Sequence, residues 1–264
     1  MRVKCYRCFW PKEHCWCGSV TPMPSRTKFV ILMHTHEFKH IKANTGRLTH
    51  LCLAVSALYV GEAFDHHEAV QELINDPRNF PVLLYPGKDA VNLSEADNRL
   101  AAGSMEQGTG NQTGANPGSA LQALRSQLES RRLVVFLLDA TWRLARPMLR
   151  DSRTLQALPK VMFTNAAPSR YRIKRQPEPG CLSTLEAVHE LLLALDRAGL
   201  DHYALPKQLL DVFERMQEIQ IRRTAENRAL GIRRHAPKPK RATPLPPTPP
   251  GSRRRKIFPV APQA

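Results

Sequence analysis

A single carboxylate, Asp139, stands where an apolar stretch gives way to a segment with helical periodicity. Residues 133–138 are six consecutive apolar residues, which is typical of a strand buried on both faces of a parallel sheet. Open α/β sheets bind their ligands at the carboxyl ends of such strands, so Asp139 is a candidate catalytic residue at the mouth of a crevice. Thr141 and Trp142 follow closely along the chain. A plain helix N-cap is the alternative, because Asp is a preferred capping residue.

A second candidate for chemistry is the set of cysteines at the start of the chain, four within thirteen residues. Two short-spaced thiol pairs on tight turns can converge on one tetrahedral Zn²⁺. Filling all four positions with protein ligands is typical of structural sites, so we expect a structural zinc knuckle. An iron–sulfur cluster, or His14 in place of one thiol, remains the alternative. The predicted metal ligands are Cys5, Cys8, Cys15 and Cys17.

A polar segment follows the first predicted strand, residues 28–33, and ends where an apolar helix begins. The amides at the start of such a helix, with a fixed cationic charge beside them, suit an anionic or zwitterionic ligand. An Asn that only caps the helix is the simpler interpretation, but it leaves the polar residues around it unexplained. The candidate binding residues here are His34, Glu37, Asn44, Thr45, Gly46 and Arg47.

A basic loop, residues 169–175, follows another predicted strand. Cations at this spacing can track phosphates while a tyrosine ring stacks on a base, which indicates an RNA contact. A solvated loop with its tyrosine packed inward is the alternative. The candidate RNA-binding residues are Arg170, Tyr171, Arg172, Lys174 and Arg175.

A capping box opens the next apolar helix, with Ser183 and Glu186 at the Ser-x-x-Glu spacing and Thr184 between them. Capping alone would explain this pattern. The amides at a capped helix start can still point at a ligand, so capping and ligand binding are compatible.

These residues need elements to position them, and the hydrophobic patterns predict an α/β fold. Strands are predicted at residues 28–33, 82–85, 133–138 and 160–164, and helices after Asn44, at 121–128, after Asp139, after Ser183 and at 206–230. Residues 103–119 are of low complexity and are predicted to form a flexible insertion. The predicted domains are a zinc knuckle at 1–24, a catalytic domain at 25–200, a C-terminal helix at 201–231 and a disordered, basic, Pro-rich tail at 232–264.

The 264-residue chain carries a formal net charge of +16. Nine basic and no acidic residues lie in 231–264, so the remainder still carries +7. An excess of this size usually indicates a polyanionic partner, most often nucleic acid. No apolar run approaches the ~20 residues of a membrane span, and the N-terminus lacks a signal-peptide core. We therefore expect no membrane partner and a cytoplasmic location, or a nuclear one in a eukaryote.

Motifs spread over residues 5–188 resemble the DTW-domain family. Its signature is similar to Asp139-Ala140-Thr141-Trp142 followed by Ala145-Arg146, and its start is similar to the cysteine knuckle. Residues 34–48 resemble the family's His-Pro-x-Glu…Asn-Thr-Gly-Arg-Leu motif, with Thr35 where Pro is usual. Residues 169–174 resemble its Ser-Arg-Tyr-x-Ile-Arg segment, with Lys174 where Arg is common, and residues 183–187 match its Ser-Thr-x-Glu-Ala motif.

The DTW-domain family is similar to SPOUT-class enzymes and comprises tRNA-uridine aminocarboxypropyltransferases. The resemblance implies a SPOUT-like, mainly parallel sheet with helices on both faces and a knot in the C-terminal half. It further implies transfer of the 3-amino-3-carboxypropyl group of S-adenosylmethionine to N3 of a uridine in tRNA. Because the N3 proton is only weakly acidic, a nearby base should help, and Asp139 is the candidate. Besides the polar segment, the cofactor-binding residues so implied are Thr141, Trp142, Arg146, Ser183, Thr184 and Glu186, with Arg47 or Arg146 holding the cofactor's carboxylate.

Other classes of function stay open on the sequence alone. A SPOUT-type RNA methyltransferase would use the same cofactor in another orientation. A zinc-dependent RNA-binding protein would carry the knuckle and the basic loop without catalysis.

Overall fold

A computed structural model of the chain describes residues 3–15, 17–41, 43–96, 117–164, 166–174 and 180–231. The strands in this part of the chain are β1 (Lys28–His34), β2 (Ser56–Gly61), β3 (Asn79–Leu84), β4 (Val91–Asn92), β5 (Arg132–Asp139) and β6 (Lys160–Met162). They form one six-stranded sheet in the order β2-β1-β5-β3-β6-β4, in which every neighbouring pair of described strands is parallel. The predicted α/β fold with a parallel sheet is confirmed, while the knot stays a prediction.

The helices of the described residues connect these strands and follow the last of them. They are α1 (Thr35–His40), α2 (Thr45–Cys52), α3 (Glu68–Asn75), α4 (Pro117–Leu128), α5 (Trp142–Arg150), α6 (Arg153–Gln156), α7 (Thr184–Arg197) and α8 (Pro206–Ala229). Short 3₁₀ turns lie at Lys12–His14, Cys17–Ser19 and Leu93–Ala96. Among the described residues, no helix combines the length and the apolar character that crossing a membrane requires.

The order in which the chain forms the strands reverses between β1 and β5, which are neighbours in the sheet. After β1 the chain moves outward to β2, on one side of the sheet. After β5 it moves to β6, on the opposite side. Such a switch point opens a crevice at the carboxyl ends of the two strands, where ligands of open α/β sheets bind. In the β1–β5 register Met33 pairs with Asp139, so both strands end at this crevice.

Apolar side chains cover both faces of the sheet, because alternate residues of a strand point to opposite faces. On one face Phe29 and Ile31 join a core that includes residues of α2, α4, α7 and α8. On the other face Val30 and Leu32 pack with residues of α3, α5 and α6. All four side chains are fully buried. Each such burial contributes about 1.5–3 kcal/mol. Residues 133–137 of β5 divide between the same two cores, so the predicted burial of that strand on both faces is confirmed.

The cysteine knuckle packs on the first of these cores, which contains Cys8, Trp10 and Cys17. By its internal contacts the chain divides into a unit at Met1–Arg223 and a second unit at Thr224–Ala264. The first unit contains the whole sheet and the knuckle. Within the second, the described residues are the end of α8 and the residues up to Gly231, which has the positive φ of 67° common at helix ends. The predicted tail lies outside the described residues.

Several elements differ from the sequence prediction. The edge strand β2, all six residues of which are half-buried, was not predicted. Helix α3 and the two-residue strand β4 were missed as well. Helix α4 begins at Pro117, four residues before the predicted start and inside the predicted insertion. The rest of that insertion, residues 103–116, lies outside the described residues.

Candidate active site

Asp139 ends β5 and connects it to two helix starts. Its side chain is only 4% exposed. Oδ2 accepts a hydrogen bond from Nδ2 of Asn44 at 2.9 Å, and Oδ1 accepts one from the hydroxyl of Thr184 at 2.5 Å. Asn44 precedes α2 and Thr184 begins α7. The predicted candidates from three separate parts of the sequence therefore meet at one carboxylate.

Asp139 is not the cap of the helix that follows it. The N-cap position of α5 belongs to Thr141, whose carbonyl accepts hydrogen bonds from the amides of Leu144 and Ala145, both at 2.8 Å. The capping interpretation of Asp139 is therefore wrong. Its carboxylate accepts hydrogen bonds from Asn44 and Thr184, at the starts of two other helices.

Asn44 has both ends of its side-chain amide fixed. It is the N-cap of α2, and its Oδ1 accepts the backbone N–H of Arg47 at 2.7 Å. Because the oxygen is used in the cap, the NH₂ group is the end that faces Asp139. The simple capping interpretation of Asn44 was therefore correct but incomplete, since the same side chain also binds the central carboxylate.

Gly46 lets the first turn of α2 approach Asp139 closely. A Cβ atom on Gly46 would fall 2.7 Å from Oδ1 of Asp139 and closer still to the other two carboxylate atoms. Real Cβ atoms essentially never make contacts this short. Glycine is therefore required at this position by packing against the carboxylate.

The carboxyl groups of the site have altered acidity. Burial raises the pKa of Asp139 above the ordinary value of 3.8, and the hydrogen bonds from Thr184 and Asn44 offset part of the rise. Burial, and then the charge of Asp139, also raise the pKa of Glu37. The positive charge of Lys174 acts in the opposite direction on both groups. A carboxyl with a raised pKa titrates closer to neutral pH, where a general base is most effective.

A cavity of about 510 Å³, which we call the polar cavity, opens at Asp139. It lies between the residues that follow β1, the β5–α5 junction, the basic loop and the start of α7. Carboxylates, cations and neutral donors all reach its wall. Its polar lining includes Glu37, Asn44, Asp139, Arg143, Lys174 and Thr184.

A second cavity of about 410 Å³, the apolar cavity, adjoins the first. Both are lined by Ala140, Trp142, Cys181, Leu182 and Thr184. The remaining wall is largely aliphatic and aromatic and includes Leu84, Tyr85, Leu137, Met162 and Phe163. Trp142 is 43% exposed, and its ring lies edge-on to that of Tyr85 with the ring centroids 6.2 Å apart. Volumes of this size are typical of small-molecule sites.

The capping box at the start of α7 is confirmed, and its glutamate has a further role. Ser183 accepts the amide of Glu186, and Glu186 accepts the amide of Ser183 at 2.9 Å. The same carboxylate, 4% exposed, also accepts the amide of Arg170 at 2.6 Å and the hydroxyl of Ser169. Glu186 therefore anchors the basic loop beside the helix start that donates to Asp139.

The basic loop is held from its other side by Gln217 of α8, which is 1% exposed. Its Oε1 accepts the amide of Arg172 at 2.6 Å, and its Nε2 donates to the carbonyl of Arg170 at 3.1 Å. The side chains of Arg170 and Lys174 are exposed. That of Arg172 lies 3.7 Å from Glu214, so part of its charge is already compensated. Arg175 lies outside the described residues.

Tyr171 is packed inward, as the alternative interpretation of the loop held. Its ring meets Phe213 edge-on at 5.1 Å, and its hydroxyl donates to the carbonyl of Ala43 at 3.4 Å. Burial raises its pKa to about 12. The ring forms part of the wall of the polar cavity, and its predicted role in RNA binding stays a prediction.

Other predicted binding residues have different positions from those expected. His34 is the N-cap of α1, with Nδ1 accepting the amide of His36 at 3.0 Å. Arg47 is buried against the rings of Phe9 and Phe38. Arg146 is exposed on α5. Among the described residues that line the polar cavity, the cations are Lys174 and Arg143 instead.

Further residues of the site have a sequence signal but were not predicted. Arg143 follows Trp142 in the first turn of α5, and this position alone places it beside the crevice. Tyr85 directly follows β3, which neighbours β5, and parallel strands end at the same edge of a sheet. Gln217 is a buried polar residue next to Phe213 and Met216 on the apolar face of α8.

The four cysteines of the knuckle converge as predicted. Their sulfur atoms all lie within 4.8 Å of one another, with Cys5–Cys17 and Cys8–Cys15 each at 3.8 Å. A tetrahedral Zn²⁺ with Zn–S bonds of about 2.3 Å places its sulfurs ~3.8 Å apart, so the thiols fit this ion. The amide of Cys8 lowers the pKa of the Cys5 thiol to about 6, which favours the thiolate that binds metal. Burial raises the pKa of Cys8 and Cys17, and the charge of a bound cation would oppose that rise.

Comparison with known proteins gives the chain a family. The DTW domain family matches residues 2–221. The chain is similar to tRNA-uridine aminocarboxypropyltransferase 2 of Drosophila melanogaster, at 29% identity over 74% of this chain and 67% of the relative. It is also similar to tRNA-uridine aminocarboxypropyltransferase 2 of Mus musculus, at 25% over 85% and 68%, and to tRNA-uridine aminocarboxypropyltransferase A of Arabidopsis thaliana, at 25% over 83% and 81%. No solved structure matches the chain. Because the family match spans most of the sequence and includes every element that builds the site, the protein belongs to the DTW domain family.

Proposed function

We propose that this protein transfers the 3-amino-3-carboxypropyl group of S-adenosylmethionine to N3 of a uridine in tRNA. The names of its relatives support the reaction and the tRNA substrate. The observation that carries the proposal is that a polar cavity lined by the buried carboxylate of Asp139 adjoins an apolar cavity, with Ala140 and Thr184 in the wall of both. Such a pair of cavities suits a ligand with one aromatic and one zwitterionic end. The predicted cytoplasmic location stays a prediction.

The chemistry of the two cavities fits S-adenosylmethionine. Tyr85 and Trp142 offer aromatic surface in the apolar cavity, which suits the adenine ring. In the polar cavity, Lys174 or Arg143 would hold the carboxylate of the methionine part, and Glu37 would hold its ammonium group. When bound, the cofactor supplies an electrophilic carbon attached to its sulfonium. Holding both ends of the molecule is how this chain would select the aminocarboxypropyl carbon over the methyl carbon.

Asp139 is the proposed acceptor of the uridine N3 proton. Each carboxylate oxygen accepts one hydrogen bond within the protein and retains a lone-pair direction for another. Its raised pKa makes it a stronger base than an exposed aspartate. Thr184 and Asn44 would act as positioning residues, since they fix the orientation of the carboxylate without contacting the reacting atoms.

The RNA would approach from the side of the basic loop. Arg170 and Lys174 expose their charges there, and Lys174 also lines the polar cavity. Glu186 and Gln217 hold the backbone between Ser169 and Arg172 in a fixed shape. A rigid, cationic loop beside the cavity would place a phosphate contact close to the reacting base.

The test is the mass of the product. Purified protein is incubated with S-adenosylmethionine and an unmodified tRNA transcript, and the RNA is digested to nucleosides for mass spectrometry. A uridine carrying the 3-amino-3-carboxypropyl group supports the proposal. A methylated nucleoside would instead identify a methyltransferase, and an unchanged tRNA would leave an RNA-binding protein without this activity.

A further inference from the structure

The guanidinium of Arg47 is buried between two aromatic rings at the border of the knuckle and α1. Its central carbon lies 4.2 Å from the centroid of the Phe9 ring and 5.1 Å from that of Phe38. Arg47 is 6% exposed, and its Nη2 has no hydrogen-bond acceptor among the residues that the structure describes. Cation–π attraction to the two rings offsets part of the unfavourable burial of this charge.

Phe9 adopts a backbone conformation that is unusual for its residue type. Its φ is 61°, in the left-handed region that favours glycine. Among the described residues, no other non-glycine residue has a positive φ. The turn is fixed by a hydrogen bond from the amide of Phe9 to the carbonyl of Cys5 at 2.8 Å. A glycine would satisfy this turn without strain. The phenylalanine therefore indicates a use for the ring, since strained backbone is concentrated at functional sites.

The two rings that cover Arg47 are open to solvent on their outer side. Phe9 is 44% exposed and Phe38 is 36% exposed, and the rings meet edge-on with centroids 5.8 Å apart. The segments that carry them are basic. Within residues 3–15 and 35–41, the exposed charged side chains are Lys4, Arg7, Lys12 and Lys39 against the carboxylate of Glu13.

We propose that the surface formed by Phe9 and Phe38, with Arg47 behind it, stacks an unpaired base of the RNA substrate. Proteins recognise single-stranded RNA by stacking bases on aromatic rings and guanidinium planes while nearby cations contact the phosphates. The exposed rings and the basic segments around them supply both parts. That the RNA is tRNA rests on the proposed function. The stacking surface itself rests on Phe9, Phe38 and Arg47, which line neither cavity.

The test compares the removal of a ring with the removal of a charge. Equilibrium binding of the full chain to an unmodified tRNA transcript and to a single-stranded RNA oligonucleotide is measured over a range of salt concentrations. Stacking is worth about 1–3 kcal/mol per base, so Phe38→Ala should weaken binding about 5- to 150-fold at every salt concentration. The slope of log affinity against log salt should not change, because this variant keeps every cation. Lys39→Ala should instead reduce that slope.

Controls separate a loss of stacking from a loss of folding. Leu205→Ala removes an exposed apolar side chain elsewhere and should bind RNA normally. Phe9→Leu keeps apolar contact with Arg47 but removes the ring, so it should weaken RNA binding as Phe38→Ala does. The metal content and melting temperature of each variant are measured in parallel. If one ring variant has lost its metal, the comparison relies on the other ring variant.

Each outcome decides the proposal. If both ring variants retain metal and bind RNA as tightly as the unaltered protein, or if the unaltered protein binds no RNA, the stacking surface is refuted. A protein that transfers the group while its ring variants bind tRNA normally would refute the surface and leave the proposed function intact. A protein that needs the rings for RNA binding but adds no group to uridine would support the stacking surface and refute the proposed function.

Discussion

Gly46 and Asp139 are packed so closely that the structure leaves no room between them for one methyl group. The Asp139 carboxylate lies against the first turn of α2, and the same turn supplies the Asn44 hydrogen bond to it. The position of the proposed base is therefore set by steric contact as well as by hydrogen bonding.

Gly46→Ala should displace Asp139 and slow the transfer. Alanine is favoured over glycine in a helix by about 1 kcal/mol, whereas inserting an atom into a packed site typically costs about 1–3 kcal/mol. We expect the clash to dominate, because the atoms in the way belong to a buried carboxylate held by Asn44 and Thr184. The measurement is the single-turnover rate together with the melting temperature.

Gly87→Ala is the matched control for that substitution. A Cβ at Gly87 would meet only the flexible side chain of Lys160, at 3.8 Å, which is an ordinary contact. This variant should keep both rate and stability. A Gly46→Ala protein with the same properties would show that α2 can retreat without disturbing the carboxylate.

Asp139→Asn should lower the transfer rate by about 10²–10⁴-fold if Asp139 is the general base. The introduced amide can still accept from Asn44 and donate to the hydroxyl of Thr184, so the site should keep its shape. Single-turnover transfer to unmodified tRNA gives the rate. Asp151→Asn, on the surface, serves as the control, and full activity of the Asp139 variant would exclude the base.

The same variant predicts how stability depends on pH. The pKa of Asp139 is raised in the folded protein, so its ionisation opposes folding. Its contribution favours the folded state at low pH and is lost as pH rises from the ordinary value of 3.8 through the folded pKa. Asp139→Asn has no carboxyl group to ionise here, so it does not lose this stability. The melting temperature of the variant, relative to that of the unaltered protein, should therefore rise as the pH rises over this interval. A difference that is constant with pH would contradict the raised pKa.

Cys8→Ser should remove the metal and destabilise the knuckle, because ion binding to four thiolates contributes to folding. Metal content by elemental analysis should fall from one zinc per chain, and the melting temperature should fall with it. Cys52→Ala is the control, since this cysteine is equally buried but distant from the cluster in sequence. It should lose stability while keeping the metal. Iron, or no metal, in the unaltered protein would contradict the zinc assignment.

Arg170→Ala and Lys174→Ala should each reduce the salt dependence of tRNA binding. The slope of log affinity against log salt should fall by roughly 0.7 to 0.9 for every phosphate that the variant no longer neutralises. Arg172→Ala should have a smaller effect, because Glu214 and Glu218 already lie near its guanidinium. If the slopes of all the variants equal that of the unaltered protein, the RNA does not bind this loop.

The sequence by itself determined the elements and the residue types of the site. The continuous apolar run before Asp139, rich in β-branched and large side chains, indicated a central strand, since a strand covered on both faces is apolar at every position. The Ser183–Glu186 spacing determined a capped helix, and the cysteine spacing determined a cluster of thiols. These are local patterns, and local physics is sufficient to predict them. The half-buried edge strand β2 was missed because its apolar residues 57–60 closely follow the apolar helix α2, and a short apolar run does not by itself distinguish a strand from a helix.

Only the tertiary structure decided which of these residues meet. Arg47 and Gly46 are adjacent in the sequence, yet one points to the knuckle and the other supports Asp139. Tyr171 faces inward because α8, which begins more than thirty residues later, supplies Phe213 as its partner. The bond between Asp139 and Thr184 spans 45 residues. Contacts of this kind depend on the order of the strands and on the helices that cover the sheet, and no periodicity along the chain records them.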